Sequence, residues 1–148
     1  MMNKGLFSSK RWDWRTPISL YQELDKEFHF TCDPCLISNG TIHPADMLGS
    51  DWGDICFVNP PYKKLLDWVK KGYLEAQKGK IVVFLIPSRT DTSWWHDYCM
   101  KASEIRFIRG RLKFDDKKFC APFPSCIVVF KNTSKSLFVK SMNNKVVH

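Results

Sequence analysis

The chain has 148 residues, 44% hydrophobic and 26% charged, with a formal net charge of +8 and a pI near 9.2. A chain this long typically buries about 68–70% of the surface it would expose unfolded, so one domain with its own core is expected. No window approaches the roughly 18 apolar residues of a membrane span, and "MMNKGLFSSKRWDWR" lacks the apolar core of a secretion signal, so neither a membrane association nor export is expected. The positive excess suits a polyanion such as nucleic acid, although a basic soluble protein without such a partner carries the same charge. Six cysteines with no sign of an oxidising compartment read as reduced thiols in a cytoplasm.

In chain order, Thr16-Pro17 is a helix start: Thr can cap, and Pro suits the first helical position. Leu20, Leu24 and Phe28 then fall at helical spacing. "FHFTCDP" alternates Phe28, Phe30 and Cys32 against His29, Thr31 and Asp33, a strand pattern closed by Asp33-Pro34. Residues 36–50 read as irregular. "ICFV" (55–58) is a short buried strand running into Asn59-Pro60-Pro61-Tyr62. A helix follows, with Leu65, Leu66, Val69, Tyr73 and Ala76 on one side and Gly79 as its stop. "IVVFLI" (81–86) is an unbroken apolar run, as in a strand covered on both faces of a parallel sheet.

"SWWHDYCMKA" reads as a helix capped by Asp91 or Thr92. "EIRFIRG" and "SCIVVFK" are two further strands joined by a loop of residues 110–124. Residues 1–131 thus form the domain, and 132–148 are expected to be a basic, loosely held tail. Alternation of strands and helices predicts a single α/β domain with a mainly parallel sheet and helices on both faces. Ligands bind such sheets beyond the C-terminal ends of the strands, where Asp33, Asn59 and Pro87–Arg89 fall. Cys32-Asp33-Pro34-Cys35 has no second CxxC to complete a zinc site, so no metal is expected.

The stretch Asn59-Pro60-Pro61-Tyr62 carries the chemistry. Asn59 precedes proline and is biased away from helical backbone. Two prolines hold the loop extended and contribute no N–H. The Asn59 side-chain oxygen and the Pro60 carbonyl can then act as two acceptors beside the flat face of Tyr62. Two acceptors and a ring suit a planar exocyclic amine such as that of adenine. That nitrogen is a weak nucleophile because its lone pair is delocalised into the ring. Hydrogen bonds that draw its hydrogens aside localise the lone pair for in-line attack on an electrophilic methyl group. The work is positioning and electrostatics, and no strong base is required. A plain turn with a packed tyrosine is the structural alternative.

These residues resemble the amino-group DNA methyltransferases that use S-adenosylmethionine, and more closely the phage and prophage Dam-type adenine-N6 methyltransferases. The resemblance runs from about Trp14 to Phe130. It rests on "WRTPISLYQELDKEFHFTCDPC", "DWGDICFVNPPY", "FLIPSRTDTSWWH", "IRGRLKF" and "APFPSCIVVF" in that order. It implies a Rossmann-like methyltransferase sheet of seven strands, the last antiparallel, here trimmed to about five. It implies that Asn59, Pro60, Pro61 and Tyr62 hold an adenine extruded from the helix. It also implies cofactor contacts from Trp14, Thr16 and Pro17 near the methionine end, from Asp33 at the amino group or ribose, and from Asp46 near the adenosine. The glycine-rich turn of many methyltransferases is missing from "CDPCLISNG".

Each carried residue has a plainer reading as well. Asp33 can cap a turn with Pro34, Thr16 can cap the helix, and Asp46 can be a solvated loop acid. Trp94 and Trp95 read as core. The partner implied is double-stranded DNA, from which the base must be extruded. Arg89, Arg111 and Lys113 are candidate phosphate contacts, and the loop between Arg109 and Ser125, with Arg111, Lys113, Lys117 and Lys118, is the candidate for reading base edges. No separate recognition domain fits in 148 residues, which leaves a monomer of short or low specificity or a homodimer. Two other readings stay open: an amino-methyltransferase acting on RNA, cytosine N4 or a protein glutamine, and a non-catalytic basic DNA-binding protein on the same scaffold.

Overall fold

The computed structural model describes residues 16–35, 44–113, 120–133 and 135–143. Among these residues five strands make one open sheet: β1 (Ile55–Val58), β2 (Ile81–Pro87), β3 (Glu104–Ile108), β4 (Ser125–Phe130) and β5 (Phe138–Met142). Their order across the sheet is β1-β2-β4-β3-β5. β1 and β2 pair in parallel, as do β3 and β5, whereas β4 runs against both its neighbours. The sheet is therefore mixed, which corrects the expected mainly parallel arrangement. The physical reason is that "SCIVVF" is covered on both faces, as a central strand of either direction would be. Residues 36–43 and 114–119 lie outside the described residues.

Side chains alternate strictly between two cores. Cys56 and Val58, then Val82, Phe84 and Ile86, then Cys126, Val128 and Phe130 pack on one face with Trp68, Val69, Trp94 and Trp95. Phe57, Val83, Leu85, Ile127 and Val129 pack on the other with Leu20, Leu24 and Phe28. Helix α1 (Ile18–Phe28) covers this second face, and α2 (Leu65–Gln77) and α3 (Ser93–Asp97) cover the first. The helical spacing of Leu20, Leu24 and Phe28 thus places α1 as expected, with all three buried.

Four local expectations change. Pro17, not Thr16, is the N-cap of α1, and no side chain caps that helix. "FHFTCDP" forms only an isolated parallel bridge, Cys32 to Cys56. Phe28 still belongs to α1, and His29 leaves the helix at φ 57°, so little extended chain is left before Pro34. On α2, Leu66 faces outward, while Trp68, Gly72 and Glu75 are buried beside Leu65, Val69 and Ala76. Gly72 is needed there, because a Cβ would stand 2.3 Å from Phe84 Cε2. Finally, the segment after Asn132 contains a strand, β5, along the edge of β3.

α3 starts as expected at Thr92, whose hydroxyl accepts from the Trp95 N–H at 3.3 Å. Both tryptophans are core residues. Arg106 joins the far end of α1 to the sheet: its guanidinium donates to Glu27 at 2.8 Å and to Glu104 at 2.7 Å, and lies over the Phe28 ring. No described helix is long and apolar enough to cross a membrane.

Candidate active site

β1, β2 and β3 point the same way, so Asn59, Ser88 and Arg109, which follow them, lie along one edge of the sheet. The reversed β4 brings its beginning to this edge too: Pro87 pairs with Ser125, and the Ser88 N–H donates to the Pro124 carbonyl at 3.0 Å. Four chain crossings thus converge beside the Asn-Pro-Pro-Tyr stretch. The bridge from Cys32 to Cys56 puts Asp33 next to the end of β1 as well.

Asn59 leaves β1 on the α1 face of the sheet and is 7% exposed. Its Nδ2 donates to Thr16 Oγ1 at 3.0 Å, and Thr16 is itself 6% exposed. The structure therefore joins two predicted site residues 43 positions apart in sequence. Pro60 and Pro61 are buried, and Pro61 is extended at φ −59° and ψ 129°. Tyr62 opens a short 3-10 turn to Lys64 and is half-buried. Its ring meets Phe123 edge-on, 5.4 Å between centroids. Of the four motif residues, Tyr62 is the one that reaches the surface.

Asp33 is half-buried, and its Oδ1 accepts from the Cys35 N–H at 3.1 Å, the turn-capping geometry of an Asx turn. Asp33 and Asp25 both act on Tyr21, whose hydroxyl is pushed up to about 12 by burial first and these carboxylates second. Cys32 and Cys56 influence each other: a hydrogen bond from Cys56 lowers the Cys32 thiol, and the same contact with burial raises Cys56. Both are free thiols. Among the described residues no group of three or more His, Cys, Asp or Glu is placed to hold a metal ion.

Other predicted residues are spread more widely. Arg89 is exposed beyond β2, and its carbonyl accepts from Thr92, which fastens the loop to α3. Arg111 is exposed, and its Nη1 reaches the Ala121 carbonyl at 3.5 Å. Lys113 is half-buried at the start of the loop. The Ala121 N–H donates to the Leu112 carbonyl at 2.7 Å and closes the base of that loop, while Lys117 and Lys118 lie outside the described residues. Asp46 stands apart: it is exposed on the turn Pro44–Gly49. That turn is tied through Met47 to the Trp52 indole. Trp14 lies outside the described residues.

Several groups at this edge had no role in the sequence reading. Lys63 and Lys64 are exposed directly after Tyr62, and their adjacency to the motif was the available signal. Phe123 supports Tyr62, from a run quoted only for its family pattern. Ser125 Oγ is buried without a hydrogen-bond partner among the described residues. Ser88 faces the Cys126 thiol, which burial pushes up to about 12.

A profile of the DNA N-6-adenine-methyltransferase (Dam) family matches residues 5–146. The chain belongs to that family. It is also 31% identical over 113 residues to a DNA N-6-adenine-methyltransferase of Haemophilus phage HP1, a match covering 68% of this chain and 65% of that relative. Less than two thirds of the relative's length is therefore spanned. Within the Dam-family chain, the match takes in every described element of the sheet edge, from Thr16 to Ser125.

Proposed function

We propose that this Dam-family chain transfers a methyl group from S-adenosylmethionine to the N6 amine of adenine in duplex DNA, after extrusion of the base. The observation that carries the reading is the placement of Asn59-Pro60-Pro61-Tyr62 at the convergent edge of the sheet, with the Asn59 amide held from behind by Thr16. With Nδ2 turned to Thr16, Oδ1 is the end of the amide assigned to the base. Oδ1 and the Pro60 carbonyl accept the two amino hydrogens and localise the nitrogen lone pair. Tyr62, braced by Phe123, offers its ring for stacking.

The chemistry of the donors fits the cofactor. A half-buried carboxylate, Asp33, follows the bridge beside β1, where an ammonium or ribose hydroxyl needs an acceptor. When bound there, S-adenosylmethionine supplies a sulfonium-activated methyl group. The protein holds the amine in line and excludes water with the buried prolines. Once alkylated, the nitrogen is cationic and loses a proton readily to solvent, which is why no base beside Asn59 is called for.

Arg89, Arg111, Lys113 and the exposed Lys63 and Lys64 surround this edge and suit phosphate contacts. The reading places the enzyme with the DNA of a bacterial cytoplasm on a Rossmann-like methyltransferase sheet. The test is transfer of labelled methyl from S-adenosylmethionine to unmethylated duplex DNA, followed by digestion and mass spectrometry of the nucleosides. N6-methyladenine supports the reading. N4-methylcytosine as the sole product, or label entering RNA or protein alone, replaces it with another acceptor. DNA binding without S-adenosylmethionine binding would reduce the chain to a non-catalytic binder.

A further inference from the structure

A carboxamide has two ends of nearly equal shape and opposite chemistry, one an acceptor and one a double donor. Half a turn about the Cβ–Cγ bond of Asn59 would present N–H to the amine of the base. Donor would then face donor, and the nitrogen lone pair would not be localised. The reaction therefore needs the amide held by a contact outside the tetrapeptide.

The structure supplies one candidate group. Thr16 Oγ1 lies 3.0 Å from Asn59 Nδ2, and both residues are buried. The hydroxyl is not used for the helix it precedes: α1 begins at Ile18, with Pro17 as N-cap and no side-chain cap. Thr16 is also set rigidly. A residue before proline is restricted to extended backbone, and the Pro17 carbonyl accepts from the Tyr21 N–H at 3.1 Å to begin the helix. α1 in turn is fixed to the strand bearing Asn59, since the Tyr21 ring meets Phe57 edge-on at 5.1 Å and Leu20 and Leu24 share a core with Phe57. Phe57 and Asn59 are two residues apart on one face.

We infer that Thr16 is a positioning residue whose hydroxyl, accepting from Nδ2, holds the Asn59 amide in place for the reaction. This rests on the adenine-methyltransferase reading and differs from the cofactor contact that the family resemblance implies for the Thr16 side chain.

The experiment compares Thr16→Val, which keeps shape and loses the acceptor, with Thr16→Ser, which keeps the hydroxyl. Steady-state methylation of duplex DNA is measured while both substrates are varied. Thr16→Val is expected to lower kcat by about 10- to 100-fold, the scale of a misplaced catalytic group, with KM for S-adenosylmethionine and DNA unchanged. Thr16→Ser restores kcat. A purely structural role would lower the melting temperature without this kcat-specific loss. A cofactor contact would instead raise KM for S-adenosylmethionine and recover at saturation. Either result, or a Thr16→Val enzyme with full kcat, overturns the inference. Should Thr16→Val fail to fold, Thr16→Ala is read against Thr16→Ser by the same criteria. A wild-type chain that methylates no adenine overturns the parent reading and this one together. An active wild type with an indifferent Thr16→Val overturns this one alone.

Discussion

At the end of the sheet where β1 and β2 begin, Glu75 is fully buried and saturated with partners. It accepts from the Trp52 N–H at 2.9 Å and lies 3.0 to 3.2 Å from Lys71, Lys78 and Lys80. Burial alone would raise its pKa, but the Trp52 N–H and the three lysines outweigh that and hold it at about 2. At the opposite end Asn59 is almost as buried, yet its amide is neutral and is held by another neutral group, Thr16. The sheet thus fastens one end through a buried charge and holds Asn59 at the other through a neutral contact. A neutral amide costs less to bury than a carboxylate.

The comparison breaks most sharply at Asn59. Asn59→Ala should lower kcat by about 100- to 1000-fold, the usual loss for one aligned polar group in a transition state, while the melting temperature changes little. Full methylation by that variant would end the proposed mechanism. Glu75→Gln should behave in the reverse sense. It keeps an acceptor for Trp52 but leaves three lysines around a neutral group, at a cost of about 2–3 kcal/mol in chemical denaturation, with kcat per folded molecule unchanged. A loss of kcat without loss of stability would show that the two ends are not separate.

The same contrast has a pH signature. Because the folded Glu75 carboxyl is depressed from 4.5 to about 2, its stabilisation is complete above about pH 4.5 and drains as pH falls toward 2. Acid unfolding of Glu75→Gln should accordingly show a weaker pH dependence over that window than the wild type, and identical slopes would contradict the assignment. Gly72→Ala tests α2, which spans both ends. Its Cβ would meet the Phe84 ring at 2.3 Å, so we expect a loss of about 1–3 kcal/mol despite better helix propensity. The smallest effect is expected at Arg111→Ala: DNA binding should weaken alike for all sequences, with the salt slope reduced by about 1. A change confined to one DNA sequence would instead assign Arg111 to base reading.

The parts of the fold that were legible in sequence are those with a strong period or a rigid motif. Leu20, Leu24 and Phe28 located α1, and Gly79, at φ 98°, lies just past the end of α2. "IVVFLI" and "SCIVVF" gave β2 and β4, but a strand covered on both faces reads the same in either direction, so the reversal of β4 was hidden. β5 gave no signal because four of its five residues are exposed. The burial of Glu75 had no sequence signal, since nothing in "YLEAQKGK" announces that three lysines and a tryptophan will enclose it. At the site, Asn59 and its neighbours were legible as chemistry. The link to Thr16 was not, because a hydrogen bond across 43 positions leaves no local pattern.

The outer flank of β5 has no strand beside it among the described residues, and Phe138 and Val139 are 60% and 50% exposed there. Such a rim is a template on which further copies can zip together backbone to backbone. Lys140, tied to Glu104 at 3.2 Å, stands in the middle of it as a gatekeeper. Lys140→Val removes that charge from the rim and should make the protein cloud at a lower concentration than the wild type.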